Sequence, residues 1–195
     1  MKLGLLTRCS LRVLDHKATP EFPRKSIFLA HLIACVMIVL SLGAVADCRN
    51  DIAASTPAQD FTVHGDGTVT HNTTGLMWMR CGLGKIWESG TCMGSPSTYT
   101  WESALVAASQ YTYAEYDDWR LPNKNELASI VEKRCFETAI NSEIFPETPS
   151  EFFWTSSPDS NCSNCVWTSM FLNGETYGWS EQDYTYYVRL VRSGR

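Results

Sequence analysis

Residues 118–127 read Asp118-Trp119-Arg120-Leu121-Pro122-Asn123-Lys124-Asn125-Glu126-Leu127. Pro122 fixes its own φ and biases Leu121 toward an extended conformation. Asn123 can accept hydrogen bonds from the amides of a following turn, and Glu126 can reach back to complete a capping box. The stretch therefore predicts an extended segment that leads directly into a helix.

This helix is predicted over residues 126–134. Its apolar stripe has the spacing i, i+3, i+4 and consists of Leu127, Ile130 and Val131. Lys133 and Arg134 would lie at its negative end, where cations are favourable. Apolar residues at helical spacing predict a second helix over residues 101–111, with Thr100 as its N-cap.

Strand patterns lie on both sides of these helices. Residues 61–80 alternate between strand-like runs and turn residues, which indicates a meander. Four segments rich in aromatic and β-branched residues follow the helix predicted over residues 126–134: 152–155, 166–171, 175–179 and 186–191. Asn173-Gly174 predicts a hairpin turn, since both residues tolerate positive φ. Two helices followed by a block of antiparallel strands, without βαβ alternation, predict an α+β fold.

The first 46 residues are typical of an export signal. They contain six Lys or Arg against two acidic residues, then an apolar run from Ile27 that ends in Ala44-Val45-Ala46, an A-x-A cleavage pattern. We therefore interpret residues 1–46 as a signal peptide, residues 47–60 as a linker or extended arm, and residues 61–195 as the domain. The alternative is an uncleaved membrane anchor over residues 27–46, with residues 1–26 held in the cytoplasm. Both interpretations export the domain to the periplasm, the cell surface or the medium.

Six cysteines follow the leader, and an even number in an exported domain indicates disulfides. Cys81 and Cys92 flank a glycine-punctuated loop, so we predict that they pair. The pairing of the other four stays open: Cys48, Cys135, Cys162 and Cys165. A zinc site at the C-x-x-C pair is the weaker interpretation, because neither a second such pair nor paired histidines accompany it.

Five ordered motifs resemble those of the Lcl C-terminal domain family, named for a bacterial collagen-like adhesin. They are Gly67-Thr68-Val69-Thr70, Thr74-Gly75-Leu76-Met77-Trp78, the Asp118 to Asn123 stretch, Phe153-Trp154-Thr155-Ser156-Ser157-Pro158 and Val188-Arg189-Leu190-Val191-Arg192. The resemblance spans residues 61–192. It implies a C-type-lectin-like fold, with two helices packed on a twisted antiparallel sheet, and a surface-exposed binding module.

The charge of the chain departs from what the resemblance implies about ligands. The name-giving member attaches to sulfated polysaccharides, but this chain has no collagen-like repeats. After residue 46 it carries 10 basic and 19 acidic side chains, a net charge of about −9. Such a charge opposes a polyanionic ligand, so nucleic acid is not an expected partner either. The resemblance therefore implies a glycan or a surface protein as the partner, but the charge does not support a sulfated glycan.

The exported part holds seven Trp, eight Tyr and six Phe residues. Trp78, Trp119 and Trp154 lie inside the family motifs and are expected to be structural. Strand alternation predicts that Tyr177 and Trp179 share one face beyond the hairpin turn. Flat rings beside amides and carboxylates suit sugar or protein contact. The predicted ligand surface consists of Asn173, Glu175, Tyr177, Trp179 and Tyr184.

The sequence contains no recognisable catalytic constellation, and we do not expect an enzyme. His64 and His71 are the histidines of the exported part, both on early strands and expected at the surface. A formylglycine-generating type of chemistry at Cys162 and Cys165 is a weaker alternative that the motifs do not support.

No cofactor or metal is expected. One oxygen-rich set suggests calcium as an alternative: Asp117, Asp118, Asn123, Asn125 and Glu126. Calcium is the weaker interpretation, because Asn123 and Glu126 are already explained as helix caps. The remaining alternative to a binding module is a structural envelope component that self-assembles into homo-oligomers.

We predict that cleavage after Ala46 releases the domain. Intact-mass spectrometry of the native exported protein should give an N-terminus at Asp47, because the A-x-A pattern places the cut there. A mature pool that begins at Met1 would contradict cleavage and favour the anchored form.

Overall fold

The computed structural model describes residues 47–194. Within them the chain forms two α-helices, α1 and α2, and thirteen short strands, β1 to β13. In chain order these are β1 Asp47–Cys48, β2 Phe61–Val63, β3 Thr68–His71, β4 Leu76–Met79, β5 Ile86–Glu88, β6 Thr91–Met93, β7 Thr98–Tyr99, α1 Trp101–Ser109, α2 Lys124–Ala128, β8 Cys135–Phe136, β9 Phe152–Pro158, β10 Cys165–Met170, β11 Glu175–Glu181, β12 Tyr186–Tyr187 and β13 Val191–Ser193. The predicted α+β class is confirmed.

Two sheets organise the domain. One has five strands in the order β11-β10-β9-β12-β7, and the other has four in the order β13-β4-β3-β2. Their pairs are antiparallel except that β12 runs parallel to β9, which the sequence did not predict. The segment 186–191 is not one strand as predicted: β12 belongs to the first sheet, and β13 pairs with β4 in the second.

Arg189 lies where the chain crosses between the two sheets. Its guanidinium is fully buried and donates to the carbonyl of Met79 at 2.8 Å and to the hydroxyl of Thr148 at 2.7 Å. It also lies 4.8 Å from the centre of the Phe145 ring. Burial lowers the pKa of Arg189 to about 9, so the side chain is still charged at neutral pH.

The five-stranded sheet carries a hydrophobic core on each face. Phe153 and Trp154 are neighbours in β9 and therefore point to opposite sides. Phe153 packs in one cluster with Leu127 of α2, whereas Trp154 packs in the other with Ala104 of α1. Each face thus has its own helix, and the chain must alternate correctly along β9 to fill both cores.

Helix α2 has the predicted N-cap, but it begins at Lys124, before the predicted start at residue 126, and it ends early. Asn123 caps it, and the predicted capping box with Glu126 is present. The helix stops at Ala128, because the next amides, of Ile130 and Val131, donate to carbonyls three residues back instead of four, and Val131 then bridges to Ile140. Lys133 and Arg134 are therefore not at a helix end, and that part of the prediction is wrong. Helix α1 is confirmed, with Thr100 accepting from the amide of Ser103.

The segment 47–60, interpreted as a linker or extended arm, is attached to the domain. Cys48 forms a disulfide with Cys135. The carboxylate of Glu132, which is 2% exposed, accepts from the backbone amides of Ser55 and Thr56, each at 3.0 Å. Burial raises the pKa of Glu132, but the hydrogen bonds from Ser55, Thr56 and Arg134 outweigh this and lower it overall.

Disulfides join all six cysteines of the described chain. The predicted Cys81–Cys92 bond is confirmed. Cys162 pairs with Cys165, which leaves no thiolates there for the zinc alternative. The signal-peptide and anchor predictions fall outside the described residues. Within residues 47–194, no helix is both long and apolar enough to cross a membrane.

One histidine differs from expectation. His71 is buried and stacks on Phe61 at a centroid distance of 4.8 Å, so it is a core residue rather than a surface one. The reason is its strand pairing: His71 lies directly opposite Phe61 in the β2–β3 pair. Burial lowers the pKa of His71. His64 contacts the hydroxyl of Thr70 at 2.9 Å.

Glu132 should make stability depend on pH. We expect Glu132→Gln to lower the free energy of unfolding at pH 7 by about 1–3 kcal/mol, because an amide nitrogen replaces one acceptor oxygen and leaves buried donors unpaired. The pKa of Glu132 is lowered below its ordinary 4.5 in the folded chain. Its contribution is therefore complete above that value and is lost as the pH falls through the folded pKa.

Urea unfolding at pH 7 and at pH 3 measures this effect. The difference between wild type and Glu132→Gln should shrink at the lower pH. Glu143→Gln is the control, since Glu143 is exposed and should show little change at either pH. An equal deficit for Glu132→Gln at both pH values would show that its ionisation does not hold the arm.

Candidate functional site

The candidate site begins at the turn between β10 and β11. Met170 pairs with Glu175, so the turn contains four residues rather than the predicted two. The amide of Gly174 donates to the carbonyl of Met170 at 2.8 Å, and Gly174 has a φ of +74°, whereas Asn173 is not in the positive region. A Cβ at Gly174 would meet Val131 at 2.5 Å. Glycine is thus required there by both conformation and space.

Three predicted site residues form one hydrogen-bonded group. The Asn173 amide donates to Glu175 Oε2 at 3.1 Å and to the Tyr177 hydroxyl at 3.0 Å. The Tyr177 hydroxyl in turn donates to the same Oε2 at 2.7 Å. The backbone amide of Glu175 donates back to Asn173 Oδ1. Each side chain therefore fixes the position of the other two before any ligand is present.

Tyr177 is the first ring of a row across the sheet, which we call the aromatic band. Its rings are Tyr177, Phe152, Tyr186 and Tyr184. Successive ring centres lie 5.5, 5.1 and 6.1 Å apart, which is the range of direct aromatic contact. Tyr184 is 53% exposed, and the other three rings are half-buried. The band therefore presents aromatic area to solvent.

The buried Trp154 packs against the aromatic band. Its ring centre lies 4.7 Å from that of Tyr186, and its indole nitrogen donates to the carbonyl of Tyr99 at 2.7 Å. Tyr99 is directly opposite Tyr186 in the β12–β7 pair. Burial raises the pKa of Tyr186, whereas a hydrogen bond with Ser180 lowers it. The phenol of Tyr186 is neutral at physiological pH and can donate and accept.

A groove on helix α1 continues from this face. Its volume is about 470 Å³, and its lining includes Tyr99, Glu102, Val106 and Gln110. Since Tyr99 pairs with Tyr186, the groove borders the end of the aromatic band that is farther from the turn.

Phe152 and Tyr186 were missed by the sequence analysis. Phe152 is in β9 and Tyr186 in β12, so neither belongs to the β10–β11 hairpin. The signal that was available is strand pairing: β9 pairs with β10, so Phe152 had to lie opposite Met170 near the turn. The parallel placement of β12 beside β9 had no such signal.

Trp179 does not share a face with Tyr177, contrary to the prediction. Tyr177 lies opposite Thr168, and Ser180 lies opposite Val166. Val166 and Thr168 are two apart and share a face, so Tyr177 and Ser180 share it too. Strand β11 therefore contains one extra residue at a bulge, which turns Trp179 to the other side.

On that other side, Trp179 is 73% exposed. The Lys124 ammonium lies 4.0 Å from the centre of the nearby Trp167 ring. A Cβ on Gly178 would meet this ring at 3.1 Å and Asp159 at 2.6 Å. Tyr184 joins the aromatic band, but Trp179 belongs to a separate surface.

The family motifs build the scaffold around this site. Trp119 is 2% exposed and donates to the carbonyl of Tyr113 at 3.1 Å. Arg120 forms a bidentate ion pair with Glu126, at 2.7 and 2.8 Å. This pairing raises the pKa of Arg120 and lowers that of Glu126. Asp118 pairs with Arg192 at 2.5 Å, so three of the residues considered for calcium, Asp118, Asn123 and Glu126, have other partners.

The geometry thus defines an α+β domain with a preorganised aromatic surface on one sheet face. The Lcl C-terminal domain model matches residues 67–192, which is more than half of the chain. The chain belongs to the Lcl C-terminal domain family, and the resemblance of its motifs is confirmed. No curated protein and no solved structure matches it significantly.

Two tryptophans should separate scaffold from surface. Trp119→Ala should lower the free energy of unfolding by about 3–5 kcal/mol, because it leaves a large cavity in the core. Trp179→Ala should change it by no more than about 0.5 kcal/mol, because its ring is exposed. Chemical denaturation of both variants measures this. A Trp179→Ala variant as unstable as Trp119→Ala would contradict the exposed position.

Proposed function

We propose that this chain is an exported adhesion module of C-type-lectin-like fold that binds a glycan through the aromatic band. Membership of the Lcl C-terminal domain family supports an adhesion-like role. Three disulfides support export, since such bonds persist in oxidising compartments. The recognition chemistry is the same for a free glycan and for a glycan on a cell surface.

The observation that carries the proposal is the hydrogen-bonded group at one end of the band. Aromatic rings can pack on the apolar face of a sugar, but orientation requires fixed polar groups beside them. Asn173, Glu175 and Tyr177 supply such groups, and their mutual bonds fix their geometry. Rigid side chains lose little conformational entropy on binding, which favours affinity.

The connection of the sheets supports the C-type-lectin-like fold. The last strand, β13, pairs with β4 near the start of the domain. The amide of Gly194 donates to the carbonyl of Gly75 at 2.9 Å, which brings the end of the described chain back to its early strands. The two helices, one on each face of the five-stranded sheet, agree with the same architecture.

Self-association is the second candidate function, and one exposed pair favours it. Ile86 and Met93 are direct partners in the β5–β6 hairpin and are 70% and 50% exposed. Partners across a strand pair point to the same side. The hairpin therefore shows a small apolar surface to solvent, remote in sequence from the aromatic band, that could join two copies.

A glycan array probed with the exported chain tests the proposal. We expect binding to at least one glycan class, and Tyr184→Ala should weaken it by roughly ten-fold or more, because an exposed aromatic anchor is lost. Trp179→Ala is the matched control, since it removes an exposed ring from the opposite sheet face. Its affinity should remain within about two-fold of wild type.

Other outcomes would overturn the proposal. Equal losses in Tyr184→Ala and Trp179→Ala would contradict the assignment of the surface. Binding to no glycan, together with a dimer that Ile86→Lys dissociates in sedimentation velocity experiments, would replace glycan binding with self-assembly.

A further inference from the structure

The charges of the chain are segregated along its sequence. Between Lys85 and Arg120, and again between Arg134 and Arg189, there is no Lys, Arg or His. These two stretches contain 13 of the acidic residues. They also contain all five strands of the sheet that carries the aromatic band, together with helix α1. The elements that build this face thus have no basic side chain of their own.

Carboxylates lie at both ends of the face. Glu175 is exposed beside Tyr177, and Glu102 lines the groove beside Tyr99. Both hydrogen bonds that Glu175 receives from its neighbours' side chains go to Oε2. Within the described residues, its other oxygen, Oε1, makes no side-chain hydrogen bond. The two hydrogen bonds to Oε2 fix the carboxylate, so Oε1 has a defined position and can accept a hydrogen bond from a ligand.

Carboxylates beside aromatic rings form a favourable environment for a cation. The face of a tyrosine or phenylalanine ring attracts a positive charge, and a neighbouring carboxylate adds a Coulombic attraction. A sulfated chain on the same face would meet negative charges with no basic side chain from these elements to offset them. The sign of the ligand's charge therefore decides the preference, and a cationic glycan is favoured over a sulfated one.

We propose that the aromatic band binds a cationic glycan, a polymer of amino sugars with free, protonated amines. The sugar rings pack on the band, and an ammonium donates to Glu175. The groove on α1 places Glu102 where a longer chain would extend. This inference rests on glycan binding at the band and adds the chemical class of the glycan.

Titration calorimetry with three soluble oligosaccharides tests the inference. The probes are a glucosamine hexamer, an N-acetylglucosamine hexamer and a heparin hexamer, each added to the exported chain at the same ionic strength. The glucosamine hexamer should bind roughly ten-fold more tightly than its acetylated form, from the combined cation–π and carboxylate contributions. Its affinity should fall as salt is raised, since these charges are exposed to solvent. Heparin should not bind measurably.

Charge-neutralising variants locate the effect. Glu175→Gln should weaken glucosamine binding by about two- to five-fold while leaving N-acetylglucosamine binding nearly unchanged. Glu102→Gln should do the same for the hexamer but not for a dimer bound at Glu175, because Glu175 lies at the end of the band that is farther from the groove. Glu88→Gln is the control: it removes the same charge from the exposed end of β5 and should have no effect.

The outcomes separate this inference from the proposed function. Equal affinity for both hexamers, or tighter binding of heparin, with Tyr184→Ala still weakening the interaction, would overturn the charge preference and keep the glycan site. An equal loss in Glu88→Gln and Glu175→Gln would show that only the overall charge acts, which also overturns the inference. Failure of all three probes and of the array would remove the proposed function itself.

Discussion

The buried guanidinium of Arg189 is the constraint on which the two-sheet arrangement depends. It lies in the three-residue crossing between β12 and β13 and bonds to Met79 and Thr148, which are distant in sequence. Burying a charge without a carboxylate is costly, and here backbone carbonyls, a hydroxyl and the Phe145 ring take the place of water. The lowered pKa of Arg189 reflects that cost. These partners come from two separate segments, one at residue 79 and one over residues 145–148. The guanidinium makes its contacts only when both segments are in place, which couples the crossing to the rest of the fold.

The position of the crossing also determines the aromatic band. Strand β12 ends at Tyr187, two residues before Arg189, and its parallel pairing with β9 places Tyr186 beside Phe152 and Trp154. If the crossing slipped by one residue, Tyr186 would turn to the opposite face. The surface that we assign to ligand binding and the buried charge in the core are therefore consequences of the same register.

Local sequence signals predicted the parts of this fold that are themselves local. The capping box at Asn123, the start of α1 and the Cys81–Cys92 loop all depend on residues close together in the chain, and all three are present. Two features depended on distant partners and were not predicted. Helix α2 ends at Ala128, because the chain beyond it leaves the helical path to pair Val131 with Ile140. Trp179 changes face because β11 has an extra residue relative to β10, and strand alternation assumes that no such residue exists.

The same scaffold bears on why the proposed binding face is acidic. Several basic side chains of the described residues have partners within the fold: Arg80 donates to backbone carbonyls of residues 143 and 144, and Arg120 and Arg192 pair with carboxylates. Arginine suits these positions because its planar group makes several directed hydrogen bonds while staying charged. Acidic residues have fewer such roles within the fold, so the excess remains at the surface. A ligand of the proposed aromatic band would therefore meet carboxylates such as Glu175, while Arg80 and Arg192 are already engaged with partners elsewhere in the fold.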